Sequence, residues 1–325
     1  MAADSDSEFK PIGKRSFERR TRNVYSWYHP DAARSNHFCL YCSRFVGPGS
    51  EIASNKEHLI GREFVPTNHL DGDAFNFLFR ACVECNLAKG DAERHLSAVT
   101  LSNSVGPAHS EEVNSIALRK AEKDYHPLKK GVLVKDASSV LKMSSEFPGM
   151  SIDLTLHAPP QLDRKRTWLL AGRQVQALFA LRYCEDARAS AVASSVLRLD
   201  CFHFLAEYTL NDWGNPTLRE LSKRTRQWPV EVLVASARGY FRAIFRSHPD
   251  ENEGVMFWAL EWNKYLRVVG AIAPPKSKIA LFEDLPTPRW ILTETGGLAF
   301  ETPLPAGEDD LFLPSVGSTT SLETS

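Results

Sequence analysis

The sequence predicts an α+β protein in two parts: a small cysteine-bound unit near the N-terminus, and a larger carboxy-terminal unit of helices followed by an antiparallel sheet. Three observations predict it. Cys39-x-x-Cys42 and Cys82-x-x-Cys85 are close cysteine pairs set 39 residues apart, the layout of a structural metal site that folding closes. Trp168, Val175, Phe179 and Tyr183 recur at near-helical spacing. After Trp228 the apolar residues alternate with period two.

The 325 residues, 43% of them hydrophobic, suffice for about two domains with sizeable cores. The expected division is a basic arm over 1–35, the cysteine unit over 36–96, a linker over 97–112, an α+β domain over 113–304 and a disordered tail over 305–325. Net charge is −1, which excludes a protein that holds nucleic acid by overall charge and leaves only local basic patches for that task. The polar, acidic first residues carry no signal-peptide pattern, and no window approaches 18 uninterrupted apolar residues. A soluble cytoplasmic protein with no membrane partner is the expectation. In that reducing setting clustered cysteines are metal ligands rather than disulfides. Cys184 and Cys201 lie in apolar patterns read as helical and are expected to be buried.

Taken in order, residues 1–9 read as unstructured. Lys10 to Arg22 holds six basic residues against Glu18. Arg19, Arg20 and Arg22 are therefore candidates for phosphate contacts, and the other reading is a solvated, partly helical lead-in. Phe38 to Phe45 suits a cysteine-bearing turn between short strands, 51–60 a strand carrying Glu57 and His58, and 61–74 a loop. From Cys82 a helix should carry Asn86 and Lys89. Further helices are expected over 110–125, where Ser110 precedes an acidic first turn, over 166–184 and over 187–210. The last would set Val192, Val196, Leu199 and His203 on one face, with His203 a core histidine. Residues 127–163 resist assignment. The basic run at 217–226 is a second candidate patch or, more simply, a solvated helix face. Strands are expected over 231–235, 240–246, 255–262 and 265–272, with shorter ones at 278–282, 290–293 and 298–301. No internal repeat, Gly-rich phosphate loop or nucleophile elbow occurs.

Between and after the cysteine pairs stand Glu57-His58, Asn76 and Asn86-x-x-Lys89-Gly90. Residues 36–95 thereby resemble the HNH endonuclease family, whose core is a ββα-metal fold. The resemblance implies a structural zinc on Cys39, Cys42, Cys82 and Cys85, and His58 as general base. An imidazole with pKa near ~6.5 is largely neutral at pH 7 and can take a proton. Glu57 and Asn86 would hold a catalytic magnesium or manganese, which hard oxygen ligands suit. Asn76 would brace the loop that orients the base, and Lys89 would touch phosphate from the helix. His69 is a spare ligand or base in the loop. The family often has Asp where this chain has Glu57, and Pro where it has Gly61, so that turn should be less constrained here.

The expected function is metal-dependent hydrolysis of DNA phosphodiester bonds, in the layout of a restriction or phage-defence effector. Its carboxy-terminal domain would recognise a target or signal, through a ligand or protein activator, and gate cleavage. One active site per chain implies a homodimer if both strands are cut. The alternative is a non-catalytic zinc module that binds nucleic acid or protein.

Overall fold

The computed structural model describes residues 17–20, 24–66, 69–70, 75–102, 109–127, 129–136, 139–147, 150–158, 162–184, 199–250, 253–288, 290–293, 296–299, 301–309 and 311–313. The chain begins with two short strands, β1 (Phe17–Arg20) and β2 (Val24–Ser26), and continues through β3 (Ser54–His58), β4 (Asn76–Cys82), α1 (Val83–Thr100) and α2 (Glu111–Ala121). Then come β5 (Ser139–Phe147), β6 (Met150–Ala158), α3 (Arg164–Tyr183), β7 (Phe202–Thr209) and α4 (Pro216–Thr225). The remainder is β8 (Val230–Ser236), β9 (Phe241–Ser247), β10 (Met256–Trp262), β11 (Leu266–Ile272), β12 (Trp290–Thr293) and β13 (Gly296–Ala299).

The fold is α+β, as its sequence predicts. A three-stranded sheet ordered β2-β4-β3 is covered by α1, and a six-stranded sheet is ordered β1-β8-β9-β10-β11-β7. β5–β6 and β12–β13 are separate hairpins. Strands β8 to β11 are rich in β-branched and aromatic residues and pair antiparallel in chain order, with β10 and β11 buried on both faces and so apolar almost throughout rather than alternating. At Gly270 the register shifts, and a Cβ there would meet Trp258 Cζ2 and His203 O at 2.3 Å. Glycine lets the buried Trp258 ring lie across the strand. Helix α2 starts where Ser110 Oγ accepts from the Val113 N–H at 3.4 Å, the cap its sequence announces.

Several expectations are corrected. The helix expected over 187–210 does not span that range, because 202–209 is β7, paired antiparallel with β11. Residues 185–198, including Val192 and Val196, lie outside the described residues. His203 sits on this strand, partly exposed rather than in a helix core. Cys184 is buried, but Cys201 is partly exposed. Residues 280–282 form a 3-10 turn, not a strand. The lead-in is no helix at 17–20: β1 completes an open sheet edge by pairing in parallel with β8, which fixes the backbone of Arg19 and Arg20 there. Arg22 and residues 1–9 lie outside the described residues. The start of the expected tail is packed: Leu311 and Phe312 are buried, and Asp309 accepts from Arg267 at 2.5 Å. Residues 314–325 lie outside the described residues. Charges on α4 are largely paired, Arg219 with Glu308 at 2.8 Å and Arg224 with Glu220 at 3.0 Å.

One hydrophobic cluster runs from Cys39 through Phe79, Leu178 and Trp262, so the expected linker over 97–112 does not separate two cores. Polar ties cross the same boundary. Gln174 on α3 accepts from Trp262 Nε1 at 2.8 Å and donates to Leu59 O at 3.4 Å, next to His58. Asn263 Nδ2 donates to Thr100 Oγ1 at 2.8 Å. Among the described residues no helix is long and apolar enough to cross a membrane.

Candidate metal centre and active site

Cys39 and Cys42 stand on a tight turn, where Ser43 takes φ of 60° and its N–H donates to Cys39 O at 2.8 Å. Cys82 ends β4 and caps α1, and Cys85 lies in that helix's first turn. Buried Asn36 clasps the turn to β4, donating to Phe38 O at 2.7 Å and Arg80 O at 2.8 Å while accepting from Arg80 N at 2.7 Å. The four Sγ atoms consequently lie within 4.8 Å of one another. Cys42 and Cys82 sulfurs are 3.7 Å apart. A tetrahedral ion with metal–sulfur bonds of ~2.3 Å spaces its sulfurs by ~3.8 Å. Arg44 donates to Cys42 Sγ at 3.2 Å and Cys82 Sγ at 3.1 Å, which favours thiolates. Hydrogen bonds from Cys39 and Cys85, with Arg44 adding to them, hold the Cys42 thiol far below its usual range, while the same cysteine contacts push the Cys39 and Cys85 thiols up. Cluster spacing and the Arg44 contacts suit a bound metal ion.

Strand and helix periods set the rest. Successive strand residues face opposite ways, so Asn55 and Glu57 face α1 while Lys56 and His58 face away. On α1, Asn86, Lys89 and Glu93 fall on one stripe. Asn86 Nδ2 donates to Asn55 Oδ1 at 2.7 Å and Lys56 O at 3.1 Å. Lys89 Nζ reaches His58 O at 2.8 Å, Glu57 at 2.8 Å and Glu93 at 2.7 Å. An ammonium has three N–H donors, and all three are engaged.

Two expectations change here. Lys89 is 1% exposed and has no donor left for a phosphate, so it is an internal clamp instead. Glu57 is 3% exposed, accepts from Tyr41 OH at 3.2 Å and is neutralised by Lys89. Where a divalent ion was expected at Glu57 and Asn86, the ammonium takes the carboxylate, and these residues do not fit the ion as arranged. Among the described residues the four cysteines are the one group of three or more His, Cys, Asp or Glu side chains placed to share a metal.

The loop after His58 is bonded at every residue. Leu59 N donates to Phe77 O at 2.8 Å. Asn76 Oδ1 accepts from Ile60 N at 3.0 Å and Asn76 Nδ2 donates to Ile60 O at 2.9 Å. Gly61 N donates to Glu93 Oε1 at 3.0 Å. This turn is therefore not less constrained than one with Pro. Its constraint comes from Glu93, which sequence reasoning missed although its spacing four residues after Lys89 was a legible signal. A Cβ at Gly61 would meet Glu93 Oε2 at 2.3 Å, and Pro would also lack the N–H. Gly61→Pro should accordingly destabilise the protein by about 1–3 kcal/mol, the cost of a buried group left unpaired, read as a lowered urea midpoint with an unchanged slope.

His58 itself is half-buried, and its imidazole is pushed down to about 4 by burial, with the charges of Arg62, Lys56 and Lys89 adding to the effect. It is neutral across the physiological range and free to accept a proton. His69 lies apart from this set, its ring edge against Tyr240 with centroids 5.2 Å apart. Family models, curated proteins and solved structures yield no match to this chain.

Proposed function

We propose that the ββα unit is an HNH-type endonuclease that hydrolyses DNA phosphodiester bonds, with zinc on its four cysteines and His58 as the base. The observation that carries the reading is His58 at the end of β3, before a turn tied by Asn76 and Glu93, on the sheet whose other end enters the four-cysteine cluster at Cys82. Zinc suits four thiolates in a tetrahedron and would hold together a unit too small to fold unaided. A cytoplasmic, reducing setting keeps those thiols available.

His58 takes a proton from water as the water oxygen bonds to phosphorus. The P–O bond to the departing sugar oxygen breaks, that oxygen takes a proton from solvent water, and His58 returns its proton to solvent. Arg62 and Lys56 offset the charge on the phosphate. With Glu57 closed by Lys89, a magnesium or manganese ion would need ligands other than this carboxylate. That same closure favours a second reading, a zinc module that binds nucleic acid or protein without cleaving it. Gln174 links the carboxy-terminal sheet to Leu59, which supports control of the catalytic loop by that part of the chain, as a restriction or phage-defence effector would need.

Plasmid cleavage by the full chain, with Mg²⁺, Mn²⁺ or EDTA, tests the proposal. His58→Ala should lower the rate by about 100- to 10,000-fold while the zinc content stays unchanged. Equal DNA binding by both chains with cleavage by neither would give the lead to the binding module. The acid limb of kcat/KM should fall near pH 4 rather than near ~6.5, since a depressed pKa keeps the base neutral until the pH drops through it. In Arg62→Ala the limb should move to higher pH, because one of the charges disfavouring the imidazolium is gone.

A further inference from the structure

Between the 61–64 loop, α1 and α2 lies a cleft of about 690 Å³ into which Arg62, Arg94, Arg119, Lys120 and Lys123 project. These cations converge from three segments. Arg119 and Lys120 lie on α2 three and four residues after Ile116, and Lys123 stands in the turn just past the helix end. Arg94 comes from α1, and Arg62 from the loop that carries His58.

Two carboxylates line the same cleft, Glu63 and Glu93. Glu93 is already engaged by Lys89 and Gly61 N. Arg94 pairs with Asp91, and Lys120 is buried, donating to Ser97 Oγ at 2.7 Å and to Glu63 O. Arg62, Arg119 and Lys123 are exposed, and no carboxylate among the described residues forms an ion pair with them. On the α1 side the wall is open at Gly90, where a Cβ would meet no atom within 4 Å. A solvated helix face would spread its charges outward. Here they line one concave space together with Arg62, which follows His58 by four residues and is one of the charges that bear on its imidazole.

We propose that this cleft holds the phosphate backbone of DNA whose scissile phosphate lies at His58, a proposal that rests on the nuclease reading above. It transfers the phosphate-binding role expected of Lys89 and the N-terminal arm to α2 and the 61–64 loop. Exposed Arg119 and Lys123 steer and hold the backbone, and Arg62 hands it to the base.

The test uses the full chain with His58→Ala, so that binding is not followed by cleavage, and a fluorescent DNA duplex titrated at several salt concentrations. Arg119→Ala with Lys123→Ala should reduce the slope of log K against log salt by about 2, roughly 0.9 for each phosphate no longer neutralised. Gly90→Glu, which adds a carboxylate in open space, should also weaken binding. Lys276→Ala with Lys278→Ala, exposed on the other part of the chain, should change neither slope nor affinity. An unchanged slope in the α2 variant, with an unchanged thermal midpoint, would overturn the proposal. So would full binding of an RNA duplex where DNA is not bound. Weakened binding in the cleft variants combined with no cleavage by the unaltered chain would keep the cleft and sink the nuclease. Cleavage that needs His58 while binding ignores the cleft would do the reverse.

Discussion

Cys82→Ser should give a chain that holds no zinc tightly and has lost amide protection over β3, β4 and α1. Cys82 is the joint of the unit, the last residue of β4 and the cap of α1, with its sulfur 3.7 Å from that of Cys42. A serine oxygen is a poor replacement for a thiolate on zinc. Without the ion, the turn at 39–44 keeps the Cys39 N to Arg44 O bond at 2.9 Å, the Ser43 bond and a single bridge between Phe38 and Phe45. Arg44 and Glu84 would still pair at 2.6 Å, but both are well exposed, and such a pair contributes little. Structural zinc supplies about 10–16 kcal/mol in comparable peptides, as much as the ~5–15 kcal/mol that holds a whole domain folded. The shared core limits the damage on the other side, since β9, β10 and β11 pair with one another without help from the cysteines. Elemental analysis should return one zinc per unaltered chain and none for the variant, with hydrogen exchange fast in β3, β4 and α1 and slow in β9 to β11. Full protection of α1 in a zinc-free chain would remove the ion from the fold's support.

The cysteine unit was legible because metal ligands are fixed by spacing. Cys82 opening a helix, Ser110 capping the next and the β-branched and aromatic runs of β8 to β11 are likewise local signals. What could not be read was direction. Lys89 looks like any polar helix residue until α1 is laid on β3. Only then does the strand alternation that sends His58 outward send Glu57 inward, where it needs a cation. Strand β7 was hidden for a related reason: Phe202, Phe204 and Tyr208 match period two as well as a loose helical face, and the decision rests with β11 beside it. Asp309 gave an acidic, tail-like reading, yet the buried guanidinium of Arg267 takes it as a partner. Charges that look solvated in a sequence are recruited inside wherever the fold buries an opposite charge.

Lys89→Met should cost about 3–5 kcal/mol of stability, the penalty for leaving a buried charge uncompensated. The methylenes would still fill the space, so the loss is electrostatic. Burial alone would lower the lysine's pKa, but Glu93 and Glu57 outweigh it and hold the ammonium charged. Burial already pushes the Glu57 carboxyl up even with Lys89 present, and removing the lysine pushes it further. A carboxyl whose folded pKa exceeds its unfolded value favours the native state at pH below the unfolded value and disfavours it as pH rises through the folded one. The deficit relative to the unaltered protein should consequently be largest at neutral pH and shrink as the pH falls toward the ordinary carboxylate range. Urea denaturation of both chains at a series of pH values reads this directly. Lys89→Met with Glu57→Leu should recover part of the loss, because an apolar replacement for the pair leaves less unpaired charge in the core. The His58 carbonyl still loses its Nζ–H partner at 2.8 Å in either variant, so activity should fall even where stability is regained. A deficit independent of pH would mean that packing around the Lys89 stem, rather than its charge, secures the strand that carries the base.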